Sequence, residues 1–288
     1  MKTSTEIISA ARIIGEEKAV ELIAKAGFDA WDFSMFSMGL YDWNTRSVIQ
    51  TNHPLMGKDA IAFARQLKKI GLDNGIVCNQ SHAPFPVACA EIRSKCKLAI
   101  ECTAEAGGEI CVIHPDNEKS AEENAEMYFE LLPFAKSCGV KIATENMWNW
   151  NNEKHHAAPA ACSSPESFVA HLNAVNDEYF VACLDVGHAE MKGLDTNAVE
   201  MIKALGDKLQ ALHLHDNDLL NDSHQIPFSM QIDFVAIVRA LKEIGYCGYL
   251  TLEADAFLKA YTSENIFEGI KQLSLSAQRL KSLYMECN

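Results

Sequence analysis

Apolar positions along the chain recur with two alternating periods. Spacings of three and four mark helices over 16–26, 58–70, 88–106, 119–138, 164–174, 195–205, 231–244 and 263–284. Short β-branched runs between them mark strands at 28–33 (FDAWDF), 75–79 (GIVCN), 109–113 (EICVI), 139–144 (GVKIAT), 179–184 (YFVACL), 208–214 and 248–252 (GYLTL). A first strand is expected within 5–14, where the pattern is poor. Gly27, Gly71, Gly107 with Gly108, and Gly139 each follow a helical segment, the natural place for a left-handed C-terminal cap. About eight strand–helix units predict an α/β fold, a (β/α)8 TIM barrel, as one domain over 1–288. An open, doubly wound sheet is the alternative, weakened by the absence of G-x-G-x-x-G after a strand.

Polar residues break this pattern at one recurring place. His82, His114, Glu145, Asp185 with His188, His213 with His215, and Glu253 all stand where predicted strands end. Charged and imidazole groups are costly beside apolar strands, so their repetition at one barrel edge implies a shared polar centre, most simply a metal centre. Glu145 and Glu253, about three units apart, can face one another across a barrel mouth, ligate a common cation and flank a substrate carbon. With Asp185 and His215 they make an oxygen-rich set of four ligands suited to manganese or zinc, with magnesium or cobalt as alternatives. His213 shares a strand face with His215 and is read as a hydrogen-bonding support in the layer beneath. His82, His114, His188, Asp222 and His224 are candidates for further metal or substrate contacts. Their plainer roles are hydrogen bonding at a strand end and, for Asp222 and His224, capping a turn.

The long connections 34–57, 146–163 and 216–230 all follow strands and are therefore lid candidates on the active face. Trp43, Trp148 and Trp150, with Tyr41, Arg46 and His53, suit stacking on a sugar; packing within the loops explains the tryptophans equally well. At 48% hydrophobic residues, the chain has no apolar run long enough to span a bilayer and no basic-then-apolar leader at Met1, so a soluble, cytoplasmic protein is expected. The net charge of −14 disfavours nucleic acid, whose phosphates call for a basic surface, while an acidic cleft attracts cations. Ten scattered cysteines form no C-x-x-C pair and read as small hydrophobes in a reducing compartment.

The motifs NQSHAPF, IHPDN, ATENM, CLDVGHAEMKGLD, HLHDNDLLNDSH and LTLEAD, in this order over roughly 75–255, resemble the strand-end motifs of the xylose isomerase-like barrel superfamily. That superfamily holds sugar isomerases and epimerases together with endonuclease IV. The resemblance to the ketose 3-epimerase branch implies metal ligation by Glu145, Asp185, His215 and Glu253, proton transfer by the two glutamates through an enediolate, and substrate contact by His188. The endonuclease IV branch implies three zinc ions held by His82, His114, Glu145, Asp185, His188, His215, Asp222, His224 and Glu253. A sugar or sugar-phosphate isomerase or epimerase is the leading expectation, with a small-molecule sugar as partner and association into a homo-oligomer as in related barrels. A multi-zinc phosphodiester hydrolase and a noncatalytic carbohydrate-binding barrel are the alternatives. Two departures bear on substrate identity: Pro227–Met230 replaces a P-G-x-G turn, and Asn221 stands where the ketose branch has an arginine.

Overall fold

A computed structural model describes residues 1–286. Cys287, the last of the ten cysteines read as reduced, lies outside the described residues. Eight parallel strands run in chain order around a ring: β1 (Lys2–Thr5), β2 (Ala30–Ser34), β3 (Val77–His82), β4 (Ile110–Val112), β5 (Lys141–Glu145), β6 (Phe180–Asp185), β7 (Leu209–His213) and β8 (Tyr249–Leu252). Strands β2 to β7 form a continuous ladder, and β1 pairs with β8. Parallel bridges Glu6–Asp32 and Leu214–Leu252 join the two sheets, closing the barrel. Outside it lie α1 (Ile8–Ile14), α2 (Glu16–Ala26), α3 (Ala60–Asp73), α4 (Ala90–Arg93), α5 (Cys96–Ala106), α6 (Ala121–Cys138), α7 (Pro165–Val175), α8 (Val186–Ala189), α9 (Ala198–Leu205), α10 (Phe234–Glu243) and α11 (Ile266–Glu286). The last helix packs back on α2 and so completes the outer ring.

The two-residue period of the strands sorts their side chains. Trp31, Phe33, Phe168, Phe180 and Leu241 belong to the large core between strands and helices, whereas Val112, Ala143, Val181, Cys183 and Ala211 form a small separate cluster inside the barrel. Two residues beyond Ala143, Cys183 and Ala211 on the same faces come Glu145, Asp185 and His213. Strand parity alone therefore turns these three groups into the barrel mouth.

Four sequence expectations change. The first strand is Lys2–Thr5 rather than a segment within 5–14, because the barrel buries Thr3, Ser4 and Thr5, and the apolar run at Ile8–Ile14 is helical. Gly71 does not end its helix, which continues to Asp73; a Cβ there would lie 2.9 Å from Trp31 Nε1, so the glycine permits close helix–strand packing. The helix expected over 88–106 breaks into α4 and α5, where Ser94 Oγ donates to the Glu91 carbonyl at 2.6 Å in competition with helical bonding. Connections 34–57 and 146–163 are not plain loops: each contains a short antiparallel hairpin, Tyr41–Asp42 with Ser47–Val48 and Asn149–Asn151 with His156–Ala158.

Candidate metal centre and active site

Glu145 ends β5 and is fully buried. Its Oε1 lies 2.9 Å from His213 Nδ1, and its Oε2 lies 3.1 Å from His114 Nε2 and 3.4 Å from His82 Nε2. Glu253, one residue past β8, brings Oε2 to 3.5 Å from the same His213 nitrogen. Asp185 ends β6 and accepts the His188 backbone N–H at 2.7 Å, fixing the first turn of α8. Asn146 ties β5 to β6 by accepting the Asp185 N–H and donating to the Asp185 carbonyl, both at 2.8 Å.

Ligand-capable atoms of Glu145, Asp185, His213 and Glu253 all lie within 4.8 Å of one another. The histidine of this foursome is thus His213, not the expected His215. The register explains the difference: His213 pairs with Asp185 across β6 and β7, whereas His215 lies beyond the strand end. His215 instead groups with His188, Asp222 and His224. Its Nε2 is 3.1 Å from Asp185 Oδ1, in an alignment that makes no hydrogen bond, and its ring stacks on His224 at 3.8 Å. A third group joins His82, His114 and Glu145. All nine expected donors therefore converge on one mouth, with His213 added.

The chemistry of this donor set fits divalent cations. His82, His188 and His224 donate their Nδ1–H to the carbonyls of Ala83, Asn146 and Glu253 at 2.8, 2.8 and 2.7 Å, which leaves each Nε2 free to offer a lone pair to a cation or a proton to a carboxylate. Those nitrogens face other donors: His82 Nε2 stands 2.8 Å from His114 Nε2, and His188 and His224 Nε2 stand 3.3 and 3.2 Å from Asp222 Oδ2. Asp185 Oδ2, Asp222 Oδ1 and both His215 ring nitrogens are buried without hydrogen-bond partners. Each such orphan costs about 1–3 kcal/mol, and converging lone pairs repel unless a proton or a cation lies between them.

In the metal-free chain the charges divide unevenly. Burial favours neutral Glu145, but the His213 charge and hydrogen bonds from His114, His213 and His82 outweigh it and hold the carboxyl well below its usual range. Burial prevails at Glu253, which is pushed well above that range with the Glu145 charge adding to it, despite His213. Burial and the adjacent His82 push His114 down to about 4. Burial also disfavours charged His188, yet Asp185 and Asp222 lift it to about 10.

Above the donors opens a cavity of about 790 Å³, walled by Phe36, Tyr41, Trp43, Phe85, Trp148 and Trp150 and reached by Arg46. The three expected tryptophans all line it. His53 does not: it accepts the Leu55 N–H and pairs with Glu16 at 2.8 Å. Sequence reasoning missed Asp32, Gln80, Cys183 and Asn146. Period-two alternation from the strand-end acids would have turned Gln80 and Cys183 inward beside His82 and Asp185.

The chain matches the family model described as xylose isomerase-like TIM barrel over residues 20–274. It is 26% identical over 271 residues to an uncharacterized protein of Methanocaldococcus jannaschii, MJ1311, covering 87% of this chain and 83% of that one. Among solved structures, a D-tagatose 3-epimerase-like protein superposes with TM-score 0.70 at 20% identity, covering 98% of this chain and 99% of the other. An IOLI protein with a bound zinc atom superposes with TM-score 0.69 at 19% identity, covering 100% and 99%. The sequence match and the closed barrel agree, and the chain belongs to the xylose isomerase-like TIM barrel family.

Proposed function

We propose that the chain is a divalent-metal-dependent enzyme that isomerises or epimerises a sugar or sugar derivative by moving a proton at the carbon beside a carbonyl. The observation that carries this reading is the entry of Glu145 and Glu253 into one four-donor centre from β5 and β8, on the floor of an aromatic-walled cavity. Glu145, Asp185, His213 and Glu253 would hold the cation, manganese or zinc, which when bound supplies Lewis-acid polarisation of substrate oxygens. One of Glu145 and Glu253 removes the proton and the other returns one. Opposite faces of the planar enediolate give epimerisation. The tryptophan walls stack on the apolar face of a sugar ring and keep water from the reacting carbon. The names of similar folds, D-tagatose 3-epimerase-like protein and L-ribulose 3-epimerase, support a sugar substrate. The nine described cysteines are free. Among the described residues no helix is long and apolar enough to cross a membrane.

The test is a screen of ketoses and aldoses in deuterated water with manganese or zinc. The reading expects deuterium at the carbon next to the carbonyl, and a loss of turnover of about 10²- to 10⁴-fold in both Glu145→Gln and Glu253→Gln. Full turnover in either variant contradicts it. A second reading, cleavage of a phosphate ester at a two- or three-cation centre, is favoured by the meeting of three donor groups in one mouth. It predicts phosphate release from small phosphoesters without deuterium incorporation.

A further inference from the structure

Beneath the site the barrel interior is apolar on the side of β4 to β7 and polar on the side of β8, β1, β2 and β3, where apolar layers are the rule. Ser4 Oγ donates to Asn79 Oδ1 at 2.6 Å, and Asn79 Nδ2 donates to Thr251 Oγ1 and Gln80 Oε1, both at 3.2 Å. Gln80 Oε1 also accepts from Thr251 Oγ1 at 3.3 Å. Two donors on that oxygen fix the amide's orientation, so Gln80 presents its NH2 to Asp32 Oδ2 at 2.9 Å. The same Asp32 oxygen lies 3.3 Å from His213 Nε2, and Gln80 Nε2 lies 3.2 Å from that nitrogen. Asp32, Gln80 and His213 are all buried, and Asp32 Oδ1 has no partner.

When a cation takes the place of the proton that His213 shares with Glu145, two arrangements of the neutral ring compete. With the ring proton on Nε2, His213 donates to Asp32 and turns the Nδ1 lone pair toward Glu145 and Glu253, 2.9 and 3.5 Å away. With the proton on Nδ1, Nε2 accepts from the Gln80 amide, and the nitrogen facing the centre is blocked by its own hydrogen. A carboxylate only accepts, so its presence at Nε2 selects the first arrangement, and a carboxylate behind an imidazole also makes the far nitrogen a stronger donor. We propose that Asp32 is a positioning residue that holds the His213 proton on Nε2 and so presents Nδ1 to a divalent cation. Gln80, anchored by Asn79 and Thr251, orients the carboxylate. This inference rests on cation binding by the four-donor centre and not on the sugar chemistry, so the two fail separately.

The experiment is a titration of ¹⁵N-labelled wild-type protein with Zn²⁺ alone, followed by long-range proton–nitrogen correlation on the His213 ring. The expected result is a protonated Nε2 throughout and a zinc-dependent shift at Nδ1. Ligation through Nε2, or an Nδ1 that keeps its hydrogen at saturating zinc, overturns the proposal without need of any variant. In Asp32→Asn the proton should move toward Nδ1 and the zinc Kd should weaken about 10- to 100-fold. Gln80→Met should keep the Nε2–H form and a Kd within a few fold of wild type. An unchanged Kd in Asp32→Asn, or equal losses in both variants, would make the role of Asp32 merely structural and overturn the proposal.

Discussion

A Cβ on Gly187 would meet His215 Cε1 at 1.9 Å, so the glycine of LDVGHA is the space in which that imidazole sits. The Gly187 carbonyl is held by Asn217 Nδ2 at 2.8 Å, which leaves the backbone little freedom to retreat. Gly187→Ala should therefore cost about 1–3 kcal/mol by overpacking and should displace His215 from Asp185. Urea unfolding measures the first effect, and unchanged stability contradicts the packing argument. Glu6, buried just past β1, behaves differently. Burial pushes its carboxyl up to about 7, against hydrogen bonds from the backbone and hydroxyl of Ser9 and helped by the charges of Asp255 and Asp32. The unfolded chain releases that proton near 4.5, so between about 4.5 and 7 the folded state binds a proton that the unfolded state has lost. Stability conferred by the neutral acid is complete below that window and falls as pH rises through it, by about 3 kcal/mol in total. Glu6→Gln cannot ionise and should flatten this part of the stability–pH curve; an unaltered slope would show that Glu6 does not titrate there.

At the level of elements, the two hairpins over the mouth share one construction. Asp42 Oδ1 accepts the N–H groups of Asn44 and Thr45 at 2.8 and 3.3 Å, and Asn151 Oδ1 accepts those of Glu153 and Lys154, both at 3.0 Å. Each turn then passes through a left-handed residue, Arg46 at φ 55° and His155 at φ 50°. Both stretches read as loops from sequence because that position usually signals itself with glycine or asparagine, and here it carries arginine and histidine. The consequence is functional: the turns present Trp43 and Trp150 at the cavity rim, with Tyr41 edge-on to Trp43 at 5.0 Å. Trp43 is 64% exposed and contributes little to the fold. Trp43→Ala should leave stability within about 0.5 kcal/mol of wild type and raise KM for the substrate about 2- to 10-fold with little change in kcat. A fall in kcat at unchanged KM would place Trp43 outside the substrate contact.

Across the whole molecule, the barrel and its active edge were legible because strand–helix alternation and strand-end acids are local signals. The interior was not. Ser4, Asp32, Asn79, Gln80 and Thr251 look like solvent-facing positions, yet strands closed into a barrel have no solvent face, and these residues pair with one another inside. The exchange of His215 for His213 has the same origin, since it depends on how far β7 slides against β6, a register the sequence does not display. What unites these levels is the claim that paired carboxylates and imidazoles at the strand ends are a cation centre. Its most direct test is the number of divalent ions retained per chain after purification, followed by the change in Tm when chelated protein is given manganese or zinc. The account predicts at least one tightly held ion per chain, and a stabilisation near 2.7 kcal/mol when the free ion exceeds its Kd about 100-fold. Protein that retains no ion, and whose Tm is unmoved by either metal, would contradict it.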